Sequence, residues 1–488
     1  MANVVEPERS GWLVPALVIV AAITAARVVA LALMPIDLFV DEAQYWLWGQ
    51  DLAFGYYSKP PMIGWLIRAV TDLAGSDAAF WVRLPGPLLH GATALILGAI
   101  AARQFGARAG VLTAAGYVTL PMVALASILI STDTVMFPFL ALALAGYLRL
   151  LERPGPALAL GTGAVLGLAF MSKYAAIYYL LCMPLAAALV PMARPRWRDV
   201  ALMLSAFLLT ISPNLVWNIL NGLTTLQHTM DNAEWVRDPA ARAGLNLRGL
   251  GSFLASQFAV VGPVVFGGLL WLALTVRRRG PRVRTLLLFA LPVVAIVCIQ
   301  ALLSKAYANW AAAAYLAGSV AILPMLSRGW LVASFAINGA LSLALPLAAI
   351  FAESFYLGDR LALARYMGRS EMSRAIIRVA RDAGQTTIVA RDRDILADLF
   401  HTGRDSGLRF FSVPFEGRPP HHYAMNFALP DALEGSVLYV AGGAGAPACA
   451  PEARPVATLS PERGAYRGHE QALFVVPGDC WATVGADQ

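Results

Sequence analysis

The sequence predicts an α-helical membrane protein with about eleven transmembrane helices, membrane-edge helices in the first outer loop and a small C-terminal α/β extracytoplasmic domain. Three observations predict this class. Of the 488 residues, 58% are hydrophobic and only 14% are charged, whereas soluble domains are about a quarter charged. Long apolar runs fill the chain as far as residue 350, and beyond it these runs shorten and charges become more frequent. We therefore expect a transmembrane domain over 1–350 and a small domain over 351–488.

Each apolar run is close to the length needed to cross a ~30 Å hydrocarbon core. The runs lie at 12–34, 84–102, 109–130, 134–151, 156–172, 174–192, 200–220, 252–276, 285–304, 306–326 and 329–350. Residues 1–11 lack the basic start of a signal peptide and the run that follows is longer than a signal-peptide core, so we expect an uncleaved first span. Arg27 lies inside this span. Because a charge is costly in lipid, we expect it to pair within the helix bundle.

Arginines in the short loops predict the orientation of the spans. With the N-terminus in the cytoplasm, the inner loops hold most of these arginines, including five in the segment RRRGPRVR at 277–284. This distribution follows the positive-inside rule, and eleven spans then place the C-terminal domain on the outer side. The net charge of +7 is spread among these loops rather than gathered on one face. We therefore expect the lipid bilayer, and no nucleic acid, as a partner.

The unusual polar residues of the transmembrane domain fall almost entirely in the connections predicted to be outside. The first connection runs from Phe39 to Leu66 and opens with two adjacent carboxylates, Asp41 and Glu42. Acids at a helix start are also the ordinary capping pattern, so both interpretations stay open for this pair. A channel or transporter more often carries polar residues near the midplane of the membrane. The distribution therefore favours an active site at the outer surface.

The C-terminal region has the pattern of a small α/β domain. Strands are predicted at 386–390, 408–413, 436–441 and 473–476, and a helix at 391–400. The glycine-rich segment 442–445 resembles a nucleotide-binding loop, but no helix or P-loop lysine follows it, so we expect a flexible loop.

Cysteine usage divides along the same boundary. Cys182 and Cys298 lie in apolar runs, where we expect packing residues. Cys449 and Cys480 lie in the polar C-terminal domain. If that domain is outside the cytoplasm, the environment permits a disulfide between them, and we predict that they form one.

Six short motifs in the transmembrane domain resemble a known family. They are Asp41-Glu42, Tyr57-Ser58-Lys59-Pro60-Pro61, Thr132-Asp133, Met171-Ser172-Lys173-Tyr174, Pro213 with Trp217-Asn218, and Lys305 with Asn309-Trp310. Over about residues 10–350, the chain resembles bacterial GT-C class glycosyltransferases of the protein-O-mannosyltransferase-like superfamily, which includes families 39 and 83 and the aminoarabinose transferases. The acidic pair and the Lys-Pro-Pro segment are specific in combination, whereas each alone is a weak signal.

The resemblance implies an integral membrane glycosyltransferase of the bacterial inner membrane. Such an enzyme moves a hexosyl or pentosyl group from a polyprenyl-phosphate-linked donor, usually with inversion, to an acceptor on the periplasmic face. The acceptor class stays open among a glycolipid, lipid A or lipopolysaccharide, a polysaccharide and a protein. One alternative is a lipid or solute transporter with a polar gate at its outer face. Another is a polymerase or ligase of lipid-linked glycans, which would use a diphosphate donor.

The resemblance also implies roles for individual residues. We expect catalytic roles for three acids, Asp41, Glu42 and Asp133. Of these, Asp41 is expected to be the base for the acceptor hydroxyl. A developing lipid phosphate dianion requires cations, and we expect it to be bound by Lys59, Lys173, Lys305 and Arg83. We expect contacts with the substrate from Tyr57, Tyr174, Trp217, Asn218, Asn309 and Trp310. A monophosphate held by basic side chains has little need of a metal, so we expect no required cofactor, although a divalent metal stays possible. His228 is expected to be an ordinary loop histidine.

Overall fold

The structure is a computed structural model, and it describes residues 11–232, 245–431, 433–443 and 445–481. The N-terminal segment before residue 11, residues 233–244 between the predicted spans at 200–220 and 252–276, and Ala444 of the glycine-rich segment lie outside these ranges. The chain forms two compact units. The first comprises residues up to Ala32, Ala53–Leu66 and Arg83–Leu347, and the second comprises Leu33–Leu52, Ile67–Val82 and the residues from Ala348 onward. The apolar runs of the sequence do not predict that the segments Leu33–Leu52 and Ile67–Val82 join the C-terminal region.

Helices account for most of the described chain before residue 351. In chain order they are α1 (Leu13–Leu33), α2 (Val40–Gln50), α3 (Met62–Ala74), α4 (Ala79–Arg83), α5 (Pro85–Phe105), α6 (Ala107–Val118), α7 (Pro121–Leu125), α8 (Thr132–Glu152), α9 (Pro156–Ser172), α10 (Ile177–Leu189), α11 (Trp197–Leu220), α12 (Thr224–Asn232), α13 (Leu247–Val260), α14 (Pro263–Leu274), α15 (Pro281–Leu288), α16 (Leu291–Leu303), α17 (Ala314–Ile322) and α18 (Arg328–Ile350). Short 3-10 turns at Tyr174–Ala176 and Ala308–Ala311 precede α10 and α17.

Within the described ranges, six helical stretches are long and apolar enough to cross a membrane, and seven if one bent pair counts as a span. The six are Leu13–Leu33, Ala79–Phe105, Thr132–Glu152, Trp197–Leu220, Pro281–Leu303 and Arg328–Ile350. Three shorter apolar helices lie at Pro156–Ser172, Tyr174–Leu189 and Ala314–Met325. The protein is therefore a multi-pass α-helical membrane protein, as predicted. Length and composition identify six or seven spans among the described residues, so the number eleven stays a prediction.

Proline and glycine explain where predicted runs are interrupted. The run predicted over 109–130 is divided between α6 and α7, because Pro121 starts a new helix and cannot donate a backbone hydrogen bond. The bent pair α13 and α14 turns by 119°. At the turn, Gly262 has a positive φ of 85°, and a Cβ there would collide with the side chain of Asn338. The Asn338 amide in turn donates to the carbonyl of Val261, at 3.2 Å, which the bend leaves without its helical partner.

Small and buried polar residues allow the helices of the first unit to pack closely. Helix α9 packs against α8 and α11, and a Cβ at Gly163 in α9 would collide with the α11 backbone at Met203. Arg27 in α1 is only 2% exposed. Its guanidinium donates to the Val118 carbonyl at 2.7 Å and to the hydroxyls of Ser342 and Ser127 at 2.8 and 3.2 Å. The expectation that Arg27 pairs within the bundle is confirmed.

The C-terminal region contains three helices and seven strands within the described residues. The helices are α19 (Arg369–Asp382), α20 (Arg393–Thr402) and α21 (His422–Asn426). The strands are β1 (Tyr356–Leu357), β2 (Arg360–Leu361), β3 (Thr387–Ala390), β4 (Arg409–Ser412), β5 (Ser436–Gly442), β6 (Ala457–Leu459) and β7 (Gln471–Pro477). Strands β1 and β2 form a hairpin, and the others form one sheet in the order β4-β3-β5-β7-β6. In that sheet β3 is parallel to β4 and β5, whereas β7 is antiparallel to β5 and β6.

The small α/β domain is therefore present, and all four predicted strands and the predicted helix correspond to observed elements. Helix α19 was not predicted, although its apolar residues Met372, Ile376 and Ile377 recur at helical spacing and are buried. Strand β6, which is only three residues long, was not predicted either. Cys449 and Cys480 form the predicted disulfide, with their Cα atoms 5.2 Å apart.

Candidate functional site

Three predicted site residues that are distant in the sequence meet at one end of α8. Ser131 caps this helix and accepts from the Thr134 amide, which places Asp133 in the first turn. Lys173 follows the last residue of α9, and its Nζ donates to both carboxylate oxygens of Asp133 at 2.7 Å. Asn309, in the 3-10 turn before α17, donates its Nδ2 to Asp133 Oδ2 at 2.9 Å. We call Asp133, Lys173 and Asn309 the Asp133 cluster.

The Asp133 cluster is a mostly buried ion pair with an additional hydrogen bond. The side chains of Lys173 and Asp133 retain only 17% and 10% of their exposure. Charges in such surroundings are tolerated when their lone pairs and protons are satisfied, and here both carboxylate oxygens accept hydrogen bonds. An ammonium has three protons, and Asp133 takes two from Lys173. Within the described residues no hydrogen bond uses the third proton, which therefore can meet a ligand in the adjoining space.

That space is a cavity of about 580 Å³, and all of its lining residues belong to the first unit. One wall is apolar and includes Ile177, Ile296, Val297, Ile299 and Leu303. Other parts of the lining carry polar or aromatic groups, namely Ser58, Lys59, Lys173, Tyr174, Thr229, Asn232, Gln300 and Trp310. A cavity that combines an apolar wall with two lysines can bind an amphipathic anion. Three of these lining residues were not predicted as site residues, namely Thr229, Asn232 and Gln300.

Tyr174, at the edge of this cavity, is held by two asparagines of α11. Its hydroxyl donates to Asn214 Oδ1 at 3.0 Å and accepts from Asn218 Nδ2 at 3.1 Å. Asn214 Nδ2 donates to the Phe54 carbonyl at 2.6 Å, so the same network also anchors the loop before Lys59. Asn214 and Asn218, one helical turn apart in α11, thus orient a tyrosine and a loop.

Two more predicted substrate contacts pack beside this loop. Trp217 lies against Gly55 so closely that a Cβ at Gly55 would collide with the indole ring. Tyr57 is 4% exposed, and its ring meets the edge of the His228 ring with centroids 5.1 Å apart. Neither Trp217 nor Tyr57 is among the residues that line the cavity. In this structure both residues shape the loop that carries Lys59.

Not all of the predicted phosphate ligands are brought together. Lys59 and Lys173 line the cavity, whereas Lys305 and Arg83 do not. Lys305 is exposed, and its Nζ lies 5.8 Å from the centroid of the Tyr307 ring. Arg83 is 2% exposed at the end of α4. The sequence predicts all three lysines on one side of the membrane, and of the three Lys59 and Lys173 line this cavity.

Asp41 and Glu42 lie in the second unit, in the first turn of α2, and their environments differ. Asp41 is about half exposed and forms an ion pair with Arg393, from Oδ1 to Nη2 at 2.5 Å. Arg393 Nε also donates to Gln44 Oε1 at 3.1 Å. Burial opposes the charge of the guanidinium, but the charge and hydrogen bond of Asp41, together with Tyr423 and Tyr45, outweigh burial and raise the pKa of Arg393. Arg393 was not predicted as a site residue, because its segment shows only the pattern of a helix start.

Glu42, by contrast, is 2% exposed, and its Oε2 accepts from the backbone amide of Phe39 at 2.9 Å. This is the capping interaction that the sequence left open for the acidic pair. The geometry therefore favours a structural role for Glu42, which holds the start of α2, and it leaves Asp41 as the exposed carboxylate of the two.

The entrance to α2 is fixed by a buried ionic network in the same unit. Asp37 accepts from the Arg369 backbone amide at 2.9 Å, at the start of α19. The Arg369 guanidinium pairs with Asp398 at 3.1 Å, and the Tyr466 hydroxyl donates to the same carboxylate. Burial raises the pKa of Asp398 to about 7, although Arg369 and Tyr466 oppose the rise. The network ties α19 and α20 to the segment that presents Asp41.

Among the described residues, no group of three or more His, Cys, Asp and Glu side chains is arranged to hold a metal ion. Participation of a divalent ion stays a prediction that this observation does not test.

Comparison with known proteins decides the family. Residues 58–217 match the family described as dolichyl-phosphate-mannose-protein mannosyltransferase. The chain is also 42% identical over 474 residues to lipid A galacturonosyltransferase RgtD of Rhizobium johnstonii, which covers 96% of this chain and 98% of that one. This chain belongs to the same family of GT-C glycosyltransferases. It is therefore a membrane glycosyltransferase and not a transporter.

Other relatives agree with this membership. Lipopolysaccharide core galacturonosyltransferase RgtA of the same organism is 28% identical over 260 residues, about half of each chain (51% and 50%). The crystal structure of ArnT from Cupriavidus metallidurans in the apo state matches with a TM-score of 0.63 and 14% identity, over 96% of this chain and 99% of that one. ArnT bound to undecaprenyl phosphate matches with a TM-score of 0.62 and 15% identity, over the same shares of 96% and 99%. At these identities the solved structures establish the ArnT-like fold of this glycosyltransferase.

Proposed function

We propose that this glycosyltransferase transfers galacturonic acid from a polyprenyl-phosphate donor to lipid A at the periplasmic face of the bacterial inner membrane. The observation that carries the proposal is the cavity in which an apolar wall adjoins Lys59 and Lys173. The near full-length similarity to RgtD supports the choice of sugar and acceptor, since RgtD is described as a lipid A galacturonosyltransferase.

The donor class follows from the chemistry of the cavity. A polyprenyl phosphate is an anion joined to a long apolar chain. Its isoprene units suit the wall formed by residues such as Ile296 and Leu303, and its phosphate suits the two lysines. Cations fixed before the reaction stabilise the charge that develops on the leaving phosphate. We assign this role to Lys59 and Lys173, and we assign the outlying Lys305 and Arg83 no direct contact with the phosphate.

The proposed reaction is a single displacement. A hydroxyl oxygen of lipid A forms a bond to the anomeric carbon, and the bond from that carbon to the phosphate oxygen breaks. The hydroxyl proton passes to Asp41, and polyprenyl phosphate leaves with the bonding electron pair. Displacement from the opposite face inverts the anomeric configuration. A positioned carboxylate of this kind contributes roughly 10²–10⁴-fold to the rate.

The other acids have supporting roles in this proposal. Glu42 holds the helix turn that presents Asp41, through the Phe39 amide. Asp133, fixed by Lys173 and Asn309, orients Lys173 towards the donor phosphate.

The proposed orientation places the C-terminal unit in the periplasm. Eleven spans with a cytoplasmic N-terminus would put arginine-rich loops such as RRRGPRVR (277–284) inside. The Cys449–Cys480 disulfide supports the location, because disulfides persist in oxidising compartments such as the bacterial periplasm.

The test is transfer by purified protein in lipid nanodiscs. A radiolabelled polyprenyl-phosphate galacturonic acid is supplied with lipid A, and the expected product is labelled lipid A of inverted anomeric configuration. We expect Asp41→Asn to lower the rate at least about a hundredfold, while the matched change Asp51→Asn, at the exposed other end of α2, leaves it near wild type. Wild-type protein that leaves lipid A unlabelled, or an Asp41→Asn variant as active as wild type, would contradict the proposal.

A further inference from the structure

A second cavity of the first unit lies between α1, α5, α8 and α9, and we call it the Arg149 cavity. Its volume of about 650 Å³ is within the range of ~300–1,000 Å³ that small-molecule sites occupy. Three helices contribute lining residues over stretches of similar length, namely 96–104 in α5, 142–149 in α8 and 158–165 in α9. Seven residues of α-helix rise about 10 Å, so the cavity extends about this far along the helices.

The Arg149 cavity is at the opposite end of α8 from the Asp133 cluster. Asp133 is in the first turn of this 21-residue helix and Arg149 is in its last turn. The part of the helix between them rises about 24 Å, which is most of the ~30 Å hydrocarbon thickness of a bilayer. Among the described residues, none lines both this cavity and the one that holds Lys59 and Lys173. The Arg149 cavity is therefore distinct from the proposed donor site and lies towards the other face of the membrane.

The lining of the Arg149 cavity is apolar except at one end. Thr162 belongs to the lining, but its hydroxyl already donates to the Leu158 carbonyl at 2.7 Å. The two charged lining residues are Arg103 and Arg149, in the last turns of α5 and α8. Such a cavity suits a molecule with an apolar chain and an anionic end. The walls include Trp12, Ile96, Ile100, Leu142, Leu148 and Val165.

Arg103 and Arg149 share a single carboxylate oxygen, so positive charge is in excess at this end. Arg103 donates to Glu152 Oε2 through Nε, at 2.7 Å, and through Nη2. Arg149 donates to the same oxygen through Nη1, at 3.2 Å. In the described part of the chain no hydrogen bond uses Nε or Nη2 of Arg149, and this edge of a guanidinium matches two oxygens of a phosphate. The Arg103 and Arg149 side chains keep 32% and 28% of their exposure, so an anion can reach them.

We propose that the Arg149 cavity binds one acyl chain of an anionic phospholipid, whose phosphate lies on Arg103 and Arg149. Basic pockets between transmembrane helices bind the head groups of anionic lipids. An acyl chain that moves from the bilayer into the cavity exchanges one apolar environment for another, so the arginines provide the preference among lipids. One positive charge in excess favours a lipid of net negative charge over a zwitterionic one. The inference does not depend on which sugar the enzyme transfers.

The test is native mass spectrometry of the full-length protein with added dioleoyl phosphatidylglycerol or dioleoyl phosphatidylethanolamine. These two lipids have the same chains, and their head groups differ in net charge. The Kd of each lipid is measured for wild type and for Arg149→Gln, which leaves the pair between Arg103 and Glu152 in place. Arg153→Gln is the matched control, because Arg153 is an exposed arginine just after α8 that does not line the cavity.

A second variant tests the space without changing any charge. Gly161 lines the cavity, and a Cβ there would meet no atom within 4 Å, so Gly161→Phe adds a ring without displacing a neighbour. Gly251→Phe is its control, because Gly251 is an exposed glycine of α13 with equally open surroundings and does not line the cavity.

We expect wild type to bind phosphatidylglycerol about tenfold more tightly than phosphatidylethanolamine, the effect of one charged hydrogen bond. Arg149→Gln should reduce this preference to less than about threefold, Gly161→Phe should weaken binding of both lipids, and both controls should resemble wild type. Equal binding of the two lipids by wild type would overturn the inference, as would an equal loss in Arg153→Gln or unchanged binding in Gly161→Phe. A polyprenyl phosphate that displaces phosphatidylglycerol at equal concentration would also overturn it, as would a dimer that Gly161→Phe dissociates, since the occupant would then be the donor lipid or a second copy of the chain.

Discussion

The Asp133 cluster makes a prediction about stability that does not depend on the donor. Lys173→Met removes the cation and keeps an apolar stem of similar length. Breaking a buried ion pair from one side costs about 3–5 kcal/mol, because the other charge is left buried. Here the two side chains keep 17% and 10% of their exposure, and the hydrogen bond from Asn309 to Asp133 survives. We therefore expect a loss of about 2–3 kcal/mol, below the value for a fully buried pair.

The assay is thermal unfolding of the purified protein in one detergent, followed by the loss of monodisperse protein. Lys173→Met and Asp133→Asn should each lower Tm by several degrees. In the double variant neither charge remains to be buried alone, so its Tm should lie above that expected from the sum of the single losses, with a coupling of at least about 1 kcal/mol. Lys305→Met serves as control, because Lys305 is exposed and surface substitutions usually change stability by less than about 0.5 kcal/mol.

Two results would refute this reasoning. The first is a Lys173→Met variant as stable as the Lys305→Met control, since the ion pair would then add nothing to the folded state. The second is strict additivity of Lys173→Met and Asp133→Asn, since two residues in direct contact would then act independently.

Three further predictions concern the donor site and the C-terminal unit. Lys59→Met should weaken donor binding about ten- to a hundredfold, whereas Lys305→Met should change it less than about threefold. The KM for the lipid donor measures both effects. Equal effects of the two variants would contradict the finding that the cavity groups Lys59 and not Lys305 with Lys173. Replacing Cys449 and Cys480 by serine opens a loop with a sequence separation of 31 and should cost about 3–4 kcal/mol, visible as a lower Tm that reducing agent does not lower further. Burial lowers the pKa of His422 to about 3, below its ordinary value near 6.5. The stability that its neutral imidazole contributes to the folded state is therefore complete above pH 6.5. This stability is lost as the pH falls towards 3, by up to about 1.4 kcal/mol per pH unit. A His422→Gln variant should lose that part of the acid sensitivity in thermal melts, and an unchanged pH dependence would contradict the assignment.

Local patterns in the sequence predicted the class of the protein and most of its elements. Apolar runs determine which segments can cross a membrane, since the bilayer accepts only helices whose backbone is satisfied internally. Short apolar runs likewise predicted strands such as β3 and β5 in the C-terminal domain. Failures came where local signals were weak or interrupted, as in the run that Pro121 divides into α6 and α7. Each of these inferences needs only residues that are close together in the chain.

The candidate site depended on contacts that no local pattern encodes. Asn309 reaches Asp133 across 176 residues, and Arg393 reaches Asp41 across 352. Topology could place Lys59, Lys173 and Lys305 on one side of the membrane, but it says nothing about their lateral separation, and only two of the three line the cavity. A side chain is positioned to within a hydrogen bond only by how helices pack against one another. The sequence by itself therefore determined which segments can span a membrane and which segments form the C-terminal α/β domain, and the tertiary structure decided which side chains lie within hydrogen-bond reach of one another.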